Sequence, residues 1–163
     1  MLNWRLLIPL IIFFPLLLIQ ITFIPLISVE GIIPDLIIIA LVYYSILFGQ
    51  IYGTILGSVY GILFDLITGS LLGSSMLSKT VAGFIAGYFS SETKRDQYLN
   101  SYLFCFVVFL CTLTDTVIYS FFSAWDFNIN LFRILFNYAL LPSVYTTMIS
   151  LIVLIFPSKR SFT

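Results

Sequence analysis

Glycine recurs at every fourth position along one stretch of this chain and runs into an acid: Gly49, Gly53, Gly57 and Gly61, then Asp65, then Gly69 and Gly73 at the same spacing. Residues four apart lie one above another on a helix, so the row forms a strip bare of side chains. In water such a helix is weak, since each internal glycine costs about 1 kcal/mol relative to alanine. In lipid the strip lets a second helix approach backbone to backbone, and close dispersion contact replaces the hydrophobic drive. The row drifts by about 40° per step at 3.6 residues per turn, so one straight partner meets about three of its glycines. A second small pair, Gly83 and Gly87, follows at the same spacing. These glycines read as a helix-packing face, held either by another helix of the chain or by a span of a partner protein. An acid beside such a face in hydrocarbon is by default a functional candidate.

The composition agrees with lipid as the solvent. Of 163 residues 61% are hydrophobic and 9% charged, against roughly a quarter charged in soluble domains. The expected fold is an all-α integral membrane protein of one domain, residues 1–163, with no soluble domain of its own. The formal net charge is zero, so no basic face is offered to nucleic acid. Histidine is absent, which removes the Ser-His-Asp and Cys-His nucleophiles and the usual zinc sites. No glycine loop runs into Lys-Ser or Lys-Thr, and no metal-ligand cluster is visible. No enzyme, no cofactor and no metal is therefore expected. Cys105 and Cys111 lie about 9 Å apart along one predicted helix and point in different directions, so they do not bridge. A proton carrier using Asp65 and Asp115 lacks the internal repeat typical of secondary transporters.

Six spans are predicted, at about 6–27, 36–48, 51–67, 76–90, 99–122 and 133–156. The first holds Pro9, Pro15 and Pro25, and Pro15 is expected to kink it or bend it around a neighbour. It is too long for a signal-peptide core and is expected to remain as a membrane helix. From Asp35 to Ile67 charge is almost absent, and one helix of that length would run about 50 Å. That is too long for one crossing, so a tight turn is placed at its one polar break, Gly49-Gln50. With six crossings Arg5, Lys94, Arg95, Lys159 and Arg160 fall on one side, which the positive-inside rule makes cytoplasmic, with both termini there.

Four ionisable residues lie within or at the rims of these spans, all toward the outer half: Asp65, Lys79, Asp115 and Arg133. Two acids and two bases balance, as a low-dielectric site requires. They read either as ion pairs locking helices together or as a polar pocket opening outward. Asp35 and Asp126 read instead as caps of helix ends or as loop residues, where acids near a helix N-terminus suit its dipole.

The block Pro34-Asp35-Leu36, then Gly53, Gly57, Gly61, Leu63-Phe64-Asp65-Leu66, Gly69 and Leu72-Gly73, resembles the rod shape-determining MreD family, as does Lys79 to Gly87. In that family a Pro-Asp-Leu opens the second helix and a glycine-rich helix ends in a pattern like Gly-x-x-x-Asp-x-x-x-Gly. The resemblance covers residues 30–90 best. It implies a multi-pass protein of the bacterial cytoplasmic (inner) membrane, a non-catalytic scaffold of the cell-wall elongation complex. The implied partner is MreC, a membrane-anchored periplasmic protein, and through it MreB and the elongation transpeptidase and glycosyltransferase. The implied fold is similar to the six-helix substrate-binding subunits of energy-coupling-factor transporters. That keeps one alternative open: a small-molecule, vitamin-type binding subunit of a membrane transporter.

Overall fold

The computed structural model describes residues 4–23, 26, 28, 32–91, 95–99, 102–123 and 139–155, and among them every regular element is a helix. In chain order these are α1 (Trp4–Thr22), α2 (Leu36–Phe48), α3 (Gln50–Thr68), α4 (Ser74–Tyr88), the short α5 (Arg95–Leu99), α6 (Leu103–Ser123) and α7 (Leu141–Ile155). Glu30, Gly31, Lys94, Trp125, Asp126, Arg133, Lys159 and Arg160 lie outside the described residues.

α2 is the axle of the bundle and touches each of the other helices. Its sequence is apolar on every side, and Ile37, Ile38, Ile39, Leu41, Val42 and Ile46 are all buried. A helix without a polar face has no side to turn to water, so it sits at the centre. Its 13 residues rise only about 20 Å. Asp35 starts it by accepting from the amides of Ile37 and Ile38, at 2.9 and 3.2 Å. Gly49 ends it at φ 97° and ψ 177°, a backbone conformation reserved for glycine, and α3 starts at the next residue.

α3 and α4 pair antiparallel in the most extensive contact of the molecule, and α4 in turn packs on α6 and α6 on α7. Both α3 and α4 are built inside out by the standards of a water-soluble protein. α3 buries Gly53, Gly57, Gly61 and Asp65 and exposes Ile51, Ile55, Ile62 and Leu66. α4 buries Ser75, Ser78, Lys79 and Gly83 and exposes Leu77, Val81, Phe84 and Tyr88. Small and polar residues inside with large apolar ones outside is the pattern of helices solvated by acyl chains. α3 and α6 are each long and apolar enough to cross a membrane. Hydroxyls inside the helices are satisfied by carbonyls one turn back, as Ser45 by Leu41 (2.6 Å) and Thr112 by Val108 (2.7 Å).

Some predicted bounds shift, for local reasons. α1 runs unbroken through Pro9 and Pro15. Tyr60 of α3 steadies it by donating to the Pro9 carbonyl at 2.6 Å while stacking on Phe13, with ring centroids 4.6 Å apart. α4 starts at Ser74, ahead of the expected 76, because Asp65 supplies acceptors to its first turn. The charged loop contains α5, so the next span starts at Leu103 instead of 99. α7 is described from Leu141, with a π-helical step at Ala139–Leu140 directly before it.

Candidate functional site

Two buried arrangements carry the residues singled out by the sequence. The first is the seam between α3 and α4. A Cβ added to Gly53 would lie 2.6 Å from the Gly83 carbonyl oxygen, and one on Gly83 would collide with the Gly53 carbonyl in return. A Cβ on Gly57 would meet the Lys79 carbonyl group, one on Gly61 the Ser75–Met76 backbone, and one on Gly87 the Gln50 backbone. Each step of four along α3 is matched by a step of four back along α4, the signature of an antiparallel register. Gly53, Gly57, Gly61, Gly83 and Gly87 are thus used within the chain, and the helix that fills the strip is α4.

The remaining glycines of the row serve turns. Gly49, Gly69 and Gly73 have φ of 97°, 69° and 101°. A Cβ on Gly69 or Gly73 would meet nothing within 4 Å, so these two are required for backbone conformation and not for close approach.

Asp65 belongs to the seam and not to a charge cluster. Its Oδ1 accepts from the Ser70 hydroxyl (2.7 Å) and the Ser75 amide (3.3 Å), and its Oδ2 from the amides of Gly73 (2.8 Å) and Met76 (3.4 Å). An aspartate on α3 is therefore the cap of α4. The opening amides of a helix have no intrahelical acceptor and carry the positive end of its dipole, so a carboxylate fits there. This explains the acid in register with the glycines. The same face that needs no side chain along the seam needs an acceptor where the seam reaches the start of α4.

The second arrangement centres on Lys79, which is 2% exposed. Its Nζ lies 2.6 Å from Asp35 Oδ2 and 3.4 Å from Asp115 Oδ2, and 5.4 Å from the centroid of the Phe64 ring. Gln20 of α1 donates to Asp35 Oδ1 (3.2 Å) and accepts from the Leu36 amide (2.9 Å). The Asp35 amide donates to the Thr146 hydroxyl of α7 at 3.1 Å. One lysine and one aspartate thus gather α1, α2, α4, α6 and α7 into a single polar hub. Of the four residues expected together, the structure joins Lys79 and Asp115, sends Asp65 elsewhere, and leaves Arg133 outside the described residues. Asp35 caps α2 and also takes the place in the hub that the sequence reading had given to Asp65. Pro34 precedes it as part of the same Pro-Asp step.

Gln20 and Thr146 were not singled out by the sequence reading. Gln20 gave a signal, as the only amide in an otherwise apolar span, whereas Thr146 is one of several helix hydroxyls and gave none. The hub can fix helices relative to one another. Among the described residues no group of three or more His, Cys, Asp or Glu is placed to hold a metal ion.

The family described as rod shape-determining protein MreD matches this chain over residues 2–160. No curated protein and no solved structure matches it.

Proposed function

Because the chain belongs to the MreD family of rod shape-determining membrane proteins, we propose that it is a non-catalytic scaffold of the bacterial cell-wall elongation complex. In this reading it crosses the cytoplasmic membrane six times, through α1, α2, α3, α4, α6 and α7, with both termini in the cytoplasm. It binds the span of MreC and so links MreB to lateral peptidoglycan synthesis.

The observation that carries this is the use of the chain's polar and glycine residues. The glycine seam, the Asp65 cap and the Lys79 hub are all occupied by contacts within the bundle. Such an arrangement suits a rigid block that offers its outer faces to other membrane helices. A partner span meets those faces, such as Ile55 and Leu66 on α3 or Val81 and Phe84 on α4, which are exposed. The glycine strip is not available to it.

The test is a gentle-detergent pull-down of the tagged full-length protein, with partners identified by mass spectrometry. Recovery of a single-span periplasmic protein together with wall synthases is expected, and tryptophans introduced singly at Ile55, Leu66, Val81 and Phe84 locate the face that binds it. Recovery of a pair of ATPases or a bound vitamin in their place overturns the proposal.

A further inference from the structure

The α3–α4 loop, residues 68–75, reads Thr-Gly-Ser-Leu-Leu-Gly-Ser-Ser and holds neither a charge nor an aromatic ring. At its tip Leu71 and Leu72 are 62% and 74% exposed. One exposed leucine is ordinary on any protein. Two side by side, on a turn otherwise made of glycine and hydroxyl residues, call for a reason, and the polar groups around them supply one.

Water serves many of the amides and hydroxyls of an ordinary surface loop. Here the chain serves them itself. The amides of Gly69 and Ser74 donate to the carbonyls of Asp65 and Leu71, each at 3.0 Å, and those of Gly73, Ser75 and Met76 donate to the Asp65 carboxylate. The hydroxyls of Thr68, Ser70 and Ser74 donate to the Phe64 carbonyl, the Asp65 carboxylate and the Leu71 carbonyl, at 2.7 Å each. Polar groups bonded inward with leucines turned outward suit a loop in contact with hydrocarbon, which offers no hydrogen bond.

The heights of the helices agree. Tyr44, Tyr52, Tyr88, Tyr98 and Tyr102 gather at the opposite end of the bundle, and Tyr88 and Tyr102 are strongly exposed there. Such a ring marks the headgroup level on its side of a bilayer. From Tyr52 to Thr68 α3 rises about 24 Å, and from Tyr88 back to Ser74 α4 rises about 21 Å. A hydrocarbon core is about 30 Å thick, and any tilt shortens the reach of a helix further. The α3–α4 hairpin therefore ends short of the far headgroups.

We propose that the α3–α4 loop is a lipid-binding element, seated in the leaflet opposite the tyrosine ring with Leu71 and Leu72 among the acyl chains. The backbone of the tip then lies at the foot of the headgroup layer. A soluble domain on that side of the membrane meets headgroups at this place and not the loop. The inference rests on α3 and α4 crossing the membrane, but not on which way round they cross.

The test is the depth of a nitroxide attached to Leu72→Cys in the full-length protein, reconstituted in lipid vesicles and read by electron paramagnetic resonance. Molecular oxygen, which concentrates among acyl chains, and a water-soluble nickel chelate each relax the label where they reach it. Ile62→Cys, on the exposed side of α3, and Gln97→Cys, exposed on α5, supply the lipid and water references. Cys105 and Cys111 are buried, and the wild type carried through the same labelling sets the background. The oxygen-to-nickel ratio at Leu72 is expected to stand several-fold above that at Gln97. A ratio equal to that at Gln97 overturns the proposal. So does a label shielded from both reagents, which would mean that a second copy or another protein covers the tip. Leu71→Cys reads the same depth should Leu72→Cys disturb the turn. A water-exposed Ile62 would refute the crossing, and the proposal with it, whereas a water-exposed Leu72 beside a lipid-exposed Ile62 overturns the loop assignment alone.

Discussion

Gly57→Ala sets two effects against each other, and the seam decides the sign. By intrinsic propensity the change should strengthen α3, since alanine is favoured over glycine inside a helix by about 1 kcal/mol. The added Cβ, however, would sit 2.8 Å from the Lys79 carbonyl carbon, where ordinary contact begins at 3.4 Å. The atom it meets is backbone and cannot swing aside, so the helices must part by at least about 0.6 Å, the difference of those two distances. A gap of that size forfeits roughly a quarter of the dispersion well for facing atoms, and overpacking of a tight interior costs about 1–3 kcal/mol or more. With backbone as the obstacle the upper end applies, about 3 kcal/mol, leaving a net loss of about 2 kcal/mol after the propensity gain. That is roughly a thirtyfold shift toward the unfolded state by the usual conversion. Reversible unfolding in mixed micelles, followed by circular dichroism, reads it directly. Ser58→Ala, at a partly exposed α3 position that donates only to the Ile55 carbonyl, serves as the control and should change little. A Gly57→Ala protein as stable as the wild type, or more so, would refute the close approach of α3 to α4.

Lys79→Met leaves Asp35 without its counter-ion. Removing one partner of a buried pair costs about 3–5 kcal/mol, and the low end is expected because the Asp35 side chain is still 20% exposed. The same unfolding assay should show that loss, with Asp35→Asn in the same chain recovering part of it. Asp65→Asn keeps one acceptor oxygen but turns an amide group toward the opening N–H groups of α4, at a cost of about 1–2 kcal/mol. Amide hydrogen exchange should quicken at Gly73, Ser75 and Met76 while α2 keeps its protection. Unchanged exchange at those three amides would sink the capping role.

The sequence displays its helices well and their pairing poorly, and the glycine row shows why. A period of four is a property of one helix, so it reveals that a bare face exists without naming what fills it. The partner's own row was also visible, because Ser75, Lys79, Gly83 and Gly87 fall at the same spacing on α4. Lys79 hid it, since a long charged side chain does not look like part of a small-residue face. Its backbone is what meets Gly57, while its side chain leaves sideways toward the hub. The place of Asp65 was obscured in the same way. An intramembrane acid invites a search for a base, but four donors from the turn and the first residues of α4 already occupy it. Asp35 was legible as a cap or loop residue and illegible as an ion-pair partner, because Asp35 and Lys79 are 44 residues apart and no periodicity connects them.

The seam and the hub meet at Lys79, and this makes the two features one device. The carbonyl of Lys79 rests on Gly57 and its ammonium reaches Asp35 and Asp115. How closely α4 approaches α3 therefore sets where the ammonium stands, and a 2.6 Å contact has no slack to absorb a displacement of about 0.6 Å. Gly57→Ala should weaken the hub as well as the seam, although Gly57 carries no charge. A double-mutant cycle with Lys79→Met isolates this. Residues that share a backbone shift couple by about 0.5–3 kcal/mol, and the sign is fixed here. Once Lys79→Met has removed the ion pair, Gly57→Ala has less left to disturb, so the double variant should be more stable than the sum of the single losses. Strict additivity would mean that the seam and the hub are independent, and that the glycine strip does not position the charge.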